Sequence, residues 1–250
     1  RTMMKLSTDG LIIGEQNIGE QDRLVTVLTQ KRGVIRAFVK NCRSLKSAKG
    51  SSTRLLCYSR LTLYVNRDTY IVDEAVCQEM FISLRTDITA MSLAQYFCEL
   101  FGYLAPKETG ADEYLKLILN ALYLLSRKKR PNGIIKSATE LRLMCFCGYM
   151  PDLVCCSNCK CYESKRMFFL PKSGKLLCGD CIEQSEEYSI EVGMGVTTAM
   201  RFCIYSEFSR MFNFKLSPEG TELLERCCEE YIAFITEHNF KTLEFYKTIR

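Results

Sequence analysis

The 250-residue chain has no tryptophan, a single histidine (His238) and only five prolines. One histidine excludes the two-histidine zinc-protease helix, and any triad that needs an imidazole would have to use His238. That residue follows Glu237 at the end of an amphipathic helical pattern, the place of a capping or surface group. Long apolar runs are missing too. Leu115 to Leu125 is broken by Lys116 and Asn120 and falls short of the ~18 residues that mark a membrane span. The N-terminal residues have no charged lead into an apolar signal core, and Arg1-Thr2 ahead of Met3-Met4 are given no weight. The expectation is a soluble, cytoplasmic protein with no membrane partner. A Walker loop is absent as well: Lys172-Ser-Gly-Lys175 lacks the first glycine, so ATP hydrolysis is not expected.

What is present begins with a core. At 47% hydrophobic residues the chain can build one or two folded units. Its fifteen cysteines, without a signal peptide, point to metal binding and buried free thiols rather than disulfides.

The net charge of +5 is unevenly placed. Residues 1–80 hold 13 Lys/Arg against 8 Asp/Glu, whereas residues 81–250 hold 21 of each. Between Arg23 and Arg67 lie eleven basic residues and no acid. A solvated face mixes signs, so this bias predicts a polyanion partner bound through phosphate neutralisation and counterion release.

Residues 9–76 read as short strands at Leu11–Glu15, Arg23–Thr29, Val34–Lys40, Arg54–Val65 and Tyr70–Val76, punctuated by Gly33, Gly50 and Asn66-Arg67-Asp68. About five strands in this length predict a small barrel. Period-two alternation puts Ile35, Ala37 and Val39 on one face and Arg36, Phe38 and Lys40 on the other. In the fourth strand Leu55, Cys57, Leu61, Leu63 and Val65 oppose Leu56, Tyr58, Arg60, Thr62 and Tyr64. Aromatics interleaved with cations are the composition of a single-strand groove, where bases stack on rings and cations follow the backbone. Burial of Phe38, Tyr58 and Tyr64 under the following helices is the competing reading for the rings. The polar stretch from Asn41 to Ser52 reads as a mobile loop whose Arg43, Lys46 and Lys49, with Lys40 before it, order on phosphates. The predicted DNA contacts are Arg23, Lys31, Arg32, Arg36, Phe38, Lys40, Arg43, Lys46, Lys49 and Arg60; no catalytic residue is expected.

From residue 83 the period becomes helical. Leu93, Phe97, Leu100, Phe101 and Leu104 share a face, Asp112 to Arg130 is apolar nearly all round and therefore central, and Ile134 to Cys147 ends at Gly148. A helix over about Gly195 to Phe214 follows, and Ser217-Pro218 opens a last long one carrying Leu224, Cys227, Tyr231 and Phe234. Arg127-Lys-Lys-Arg130 serves either the helix dipole or a second anionic contact.

The bundle is interrupted once, by Cys156-x2-Cys159 and, after eighteen intervening residues, Cys178-x2-Cys181. Two such knuckles supply four thiolates to a tetrahedral zinc ion, leaving no position for water, so the predicted ion is structural. Phe168, Phe169, Pro171 and Gly174 suit a hairpin between the knuckles. Cys155 and Cys161 allow a shifted ligand set, and a redox pair at Cys178 and Cys181 lacks the thioredoxin context. Cys98, Cys145, Cys203 and Cys227 sit at helical core positions.

Several segments together resemble the RecO family of bacterial DNA repair and recombination mediators: Gly19-Glu-Gln-Asp-Arg-Leu-Val-Thr-Val-Leu-Thr29, Gly33-Val-Ile-Arg-Ala37, Leu84-Arg-Thr-Asp87, Glu140-Leu-Arg-Leu143, Gly148-Tyr-Met-Pro-Asp-Leu153 and Leu176-Leu-Cys-Gly-Asp-Cys181. The resemblance runs over almost the whole chain. It implies an α+β protein with an N-terminal OB-fold β-barrel over residues 1–80, an α-helical domain over 81–250, and a four-cysteine zinc-binding insertion at about 151–185 holding one structural Zn2+. It also implies binding of single- and double-stranded DNA, strand annealing, and action with RecR to help RecA displace single-stranded-DNA-binding protein, whose C-terminal tail the helical domain engages. The localisation implied is bacterial cytoplasm, associated with the nucleoid. Where relatives often read Lys-Gly-Ala-Arg this chain has Lys40-Asn-Cys-Arg43, which keeps the cations and lacks the glycine. Two other classes compete. A zinc-ribbon, sequence-specific transcription regulator would prefer one duplex sequence; a zinc-stabilised nucleic-acid processing enzyme would need a carboxylate cluster, for which Glu186-Glu187 and Glu229-Glu230, read as solvated pairs, are poor candidates.

Overall fold

A computed structural model describes residues 3–44 and 46–250; readings that touched Arg1-Thr2 or Leu45 lie outside them. Alternation of buried with more exposed residues accompanies five strands, β1 (Met4–Ile18), β2 (Asp22–Thr29), β3 (Gly33–Val39), β4 (Tyr58–Asn66) and β5 (Thr69–Glu79), with a short helix α1 (Ala48–Ser51) between β3 and β4. They close a barrel in the order β1-β2-β3-β5-β4, with β3 and β5 parallel and the other pairs antiparallel. This is the predicted small barrel, of OB type. Ile12, Val25, Val27, Ile35, Ala37, Val39, Leu61 and Leu63 fill it. β1 is longer than its apolar centre predicts because a bulge between Ile12 and Gly14 bends it, so that one strand pairs with both β2 and β4. Gly33, at φ +63°, is obligatory: a Cβ there would stand 2.1 Å from the Pro106 carbonyl oxygen.

Two expectations change here. β4 starts at Tyr58, not Arg54, because Leu56 turns through φ 67°; its N–H donates to the Ile12 carbonyl while the Ile12 N–H donates to that of Cys57. Leu56 is therefore buried instead of facing outward. The stretch expected to be a mobile loop is anchored at Cys42, Gly50 and Ser52, which are buried, while Asn41, Arg43, Ser44 and Lys46 are exposed. Ser47 caps Gly50 N at 2.9 Å, Gly50 is buried, and a Cβ on it would lie 2.0 Å from the Cys42 carbonyl oxygen.

The chain then forms α2 (Ile88–Leu104), α3 (Asp112–Ser126), α4 (Asn132–Phe146), β6 (Asp152–Cys156), β7 (Met167–Leu170), β8 (Lys175–Cys178), α5 (Gly179–Ile182), β9 (Ile190–Glu191), α6 (Gly193–Tyr205), α7 (Pro218–Thr236) and α8 (Lys241–Ile249). It divides into two compact units, one reaching to Arg127 and including Phe240–Arg250, the other spanning Lys128–Asn239. No described helix is long and apolar enough to cross a membrane.

In the first unit α2 begins at Asp87, whose carboxylate accepts from Ala90 N, and buries Leu93, Phe97, Leu100 and Phe101 as its periodicity predicts. α8, for which the sequence gives no signal, is tied to α2: Phe240 meets Tyr96 and Tyr103 edge-on, and Thr242 donates to Glu99 at 2.7 Å. The helix buried most completely is α4, in the second unit, and not α3. α3 leaves Tyr123 and Asn120 exposed, whereas α4 is buried from Gly133 to Met144. Its buried charges are paired inside: Lys136 by Glu140 and Glu229, Arg142 by the Cys203 and Ser206 carbonyls. α7 packs closely at Gly133, where a Cβ would come within 2.8 Å of Glu225 Oε2. α6 ends at Tyr205, short of the predicted Phe214, and Phe234 is exposed at the far end of α7. Ser217 caps α7 as predicted, accepting from Gly220 N.

Candidate nucleic-acid face and candidate metal centre

β3 presents exposed Arg36, half-buried Phe38 and exposed Lys40 outward. Strand register extends this into a row across the barrel, Gln16–Leu24–Phe38–Ile71–Tyr64–Lys5, running over β1, β2, β3, β5, β4 and back to β1. None of these six is buried. Lys40 Nζ lies 5.6 Å from the Phe38 ring centroid and Lys5 Nζ 4.8 Å from that of Tyr64. The result is a ribbon in which the Phe38 and Tyr64 rings, each with a lysine ammonium near it, alternate with Leu24 and Ile71, while Thr26 pairs with Arg36 beside it.

The other predicted contacts distribute around this ribbon. Lys31 is exposed and Arg32 half-buried in the β2–β3 turn; Arg43 and Lys46 are exposed and Lys49 half-buried beyond β3. No salt bridge engages Lys31, Arg36, Arg43, Lys46 or Lys49 among the described residues. Arg60 differs, binding Asp9 at 2.6 Å, which raises the guanidinium pKa and ties the cation down. Lys40 sits 3.2 Å from Asp22, whose pKa is lowered first by the Asn41 N–H and then by Lys40. Acid-free sequence between 23 and 67 is thus partly neutralised by Asp9, Glu15 and Asp22 from neighbouring strands, a pairing only register reveals. Arg23 departs furthest from expectation. It is 3% exposed, and its Nη1 donates to Gly50 O at 3.1 Å and Thr53 Oγ1 at 3.3 Å, so it braces the backbone at Gly50–Thr53 instead of lying on the open face. Tyr58 is half-buried with a raised pKa, from burial and then from Asp9.

In the second unit the predicted hairpin is β7 and β8, with Gly174 at φ +66° in its turn. β6 joins β8 in parallel and β9 pairs with β7, giving a sheet β6-β8-β7-β9. Cys156 ends β6 and Cys178 ends β8, and each begins a tight turn leading to its partner, Cys159 or Cys181. The four Sγ atoms lie within 4.8 Å of one another, with Cys159 and Cys178 at 3.6 Å. This cluster could hold a metal ion; Cys155 and Cys161 are not part of it. Burial acts to raise the Cys156 thiol, yet N–H groups of Cys159, Cys178 and Asn158 outweigh it and bring its pKa down to about 6. Cys181 is pushed up to about 12, by hydrogen bonding to Cys178 and then by burial. Four sulfurs so close cannot all ionise without a cation to balance them.

Of the remaining candidates, His238 is exposed just beyond α7. Arg127 lies 5.5 Å from the Tyr123 ring centroid, and Arg130 donates to Phe212 O and Asn213 Oδ1. The pair Glu229-Glu230 is not a simple solvated face. Glu229 reaches inward to Lys136 at 2.9 Å, while Glu230 pairs with Arg226 at 3.1 Å. Cys98, Cys203 and Cys227 are buried, as expected of core thiols, and Cys145 is half-buried.

The Recombination protein O N terminal profile matches residues 3–81 and the Recombination protein O C terminal profile residues 85–244. A DNA repair protein RecO from Acetivibrio thermocellus is 30% identical over 247 residues, covering 99% of this chain and 98% of the relative. Those of Caldicellulosiruptor saccharolyticus and Symbiobacterium thermophilum are 24% and 27% identical, each across 99% of this chain and at least 99% of their own. An OB-type barrel, a helical unit carrying a four-cysteine cluster, and similarity from end to end agree: the chain belongs to the RecO family of DNA repair proteins.

Proposed function

We propose that this chain is a non-enzymatic mediator that binds single- and double-stranded DNA, anneals complementary strands and, with RecR, helps load RecA onto DNA coated by single-stranded-DNA-binding protein. The observation that carries this is the aromatic and apolar ribbon over β1–β5 flanked by Lys31, Arg32, Arg36, Lys40, Arg43, Lys46 and Lys49. Cations of this kind neutralise phosphates without reading bases, so base edges stay free to pair and two strands can be held close despite their charge. Phe38 and Tyr64 offer stacking surfaces that tolerate any sequence.

The functional division follows as 1–80 for DNA and 81–250 for partners. A concavity of ≈ 500 Å³ lined by Lys129, Arg130, Ile134, Phe214, Lys215 and Leu216 combines cations with apolar side chains, and its charge complements an acidic tail. It is the surface we assign to the tail of single-stranded-DNA-binding protein. Cys156, Cys159, Cys178 and Cys181 would hold one Zn2+: Zn–S bonds of ~2.3 Å give sulfur–sulfur edges of ~3.8 Å, and Cys159 and Cys178 stand 3.6 Å apart. With all four positions taken by thiolate, the ion's contribution is to cross-link β6, β8 and α5.

Replacing Arg36, Lys40, Arg43 and Lys46 by Ala tests the reading. Binding to unrelated DNA sequences should weaken, and the slope of log K against log salt should flatten by ~0.7 per lost single-strand phosphate contact. Unchanged affinity, or strong preference for one duplex sequence as a transcription regulator would show, contradicts it.

A further inference from the structure

Beside α1 lies a concave site of ≈ 430 Å³. Three guanidiniums, Arg23, Arg43 and Arg54, line it together with Asn17, Ser44 and Ser51. Arg23 is 3% exposed, and Nη1 is anchored on Gly50 O and Thr53 Oγ1. Its Nε is buried with no hydrogen-bond partner among the described residues. The nearest carboxylate oxygen, Glu15 Oε2, is 3.9 Å away, beyond hydrogen-bond reach. Leaving a guanidinium N–H unmet in the interior is costly, and such sites are ones where a ligand group supplies the missing acceptor. Arg43 makes only a long contact, 3.5 Å to Gly19 O. Arg54 is 51% exposed and shares Glu15, at 3.5 Å. Ser44 Oγ accepts from Lys46 N, which leaves its hydrogen to donate. Three guanidiniums against one carboxylate leave the site two positive charges in excess, and planar forks of this kind match the oxygens of a tetrahedral oxyanion.

We infer that this concavity is a phosphate subsite that takes a single phosphate group of a DNA strand, a role that rests on the DNA-binding reading and adds a fixed point to it. The ribbon follows the strand with mobile side chains; the subsite holds one phosphate against a buried, pre-oriented Arg23 and sets where the strand begins its path. A phosphorylated strand end and an internal backbone phosphate share this chemistry.

The experiment compares full-length wild type with the double variant Arg43→Gln/Arg54→Gln, both exposed positions, and with Arg67→Gln as an exposed control. Anisotropy titrations use one single strand with a 5′-phosphate or a 5′-hydroxyl at several salt concentrations. The double variant should lose about tenfold in affinity, with the salt slope reduced by ~0.7 per phosphate released, and the control should match wild type. Loss confined to the phosphorylated strand assigns the subsite to a strand end; equal loss on both assigns it to an internal phosphate. Unchanged affinity and slope in a double variant with wild-type circular dichroism overturns the inference. A wild type that binds neither strand overturns the DNA reading instead, and calorimetric titration with pyrophosphate then decides the subsite alone: heat lost in the double variant sustains it, and no heat with wild type rejects it.

Discussion

Lys136 offers the sharpest test of how the second unit is held together. Its ammonium lies 3.0 and 3.2 Å from the two Glu140 oxygens and 2.9 Å from Glu229, with side-chain exposures of 0% for Lys136 and Glu140 and 11% for Glu229. Glu225 adds a further negative charge nearby. Lys136→Met keeps the stem's bulk but removes the cation that these three acids surround. Breaking one side of a buried pair costs about 3–5 kcal/mol, and at ~2–4 °C per kcal/mol for a chain of this size the melting temperature should fall by roughly 10 °C. Calorimetry measures this directly. The double change Lys136→Met/Glu140→Met removes both members of the buried i,i+4 pair and should recover part of the loss. A single variant that melts within about 2 °C of wild type, or a double variant less stable than the single, refutes the reasoning. Burial lowers the Lys136 pKa, but Glu140 and Glu229 outweigh it and raise the value above that of a free lysine. A raised folded pKa means the stabilisation is fully present below the unfolded value of ~10.4 and is lost only as pH rises through the folded one. The wild-type-to-variant difference should therefore stay flat from neutral pH to about pH 9.

Metal analysis of purified protein should find about one zinc per chain, abolished by Cys178→Ser, with a loss of stability that is some part of the ~10–16 kcal/mol typical of structural zinc; a metal-free protein of equal stability removes the structural-zinc proposal. After chelation, alkylation at about pH 7.5 should modify exposed Cys159 first, because burial pushes Cys98 and Cys227 up to about 12 and keeps them as inert thiols. Mass spectrometry showing Cys98 labelled as fast as Cys159 would contradict that ordering.

The parts of the fold readable in the sequence are those written in short-range chemistry. Strict alternation in Val34–Lys40 gave β3 and its outward Arg36, Phe38 and Lys40; Ser217-Pro218 marked the start of α7; paired C-x2-C spacings marked the metal cluster. What escaped depends on contacts distant in sequence. Nothing local to Arg23 shows that its guanidinium will be claimed by Gly50 and Thr53, 27 and 30 residues on. The absence of acids from 23 to 67 concealed Asp9 facing Arg60, because register between β1 and β4 decides that pairing. α3 looks more apolar than α4, yet α4 is the more buried because Lys136 pairs with Glu140 on the same helix and Glu229 on α7, and Arg142 with carbonyls at the end of α6. α8 has little apolar periodicity and is anchored by Tyr246 and the preceding Phe240.

The central claim, that the barrel's charged ribbon brings strands together without catalysis, is tested most directly by a strand-annealing measurement. Fluorescently labelled complementary strands of unrelated sequences are mixed with wild type, or with the variant lacking Arg36, Lys40, Arg43 and Lys46, with no nucleotide, and both naked and precoated with single-stranded-DNA-binding protein. Wild type should accelerate pairing of every sequence in both states, and the variant should fall towards the spontaneous rate. Wild-type annealing at the spontaneous rate, or a variant as fast as wild type, contradicts the account.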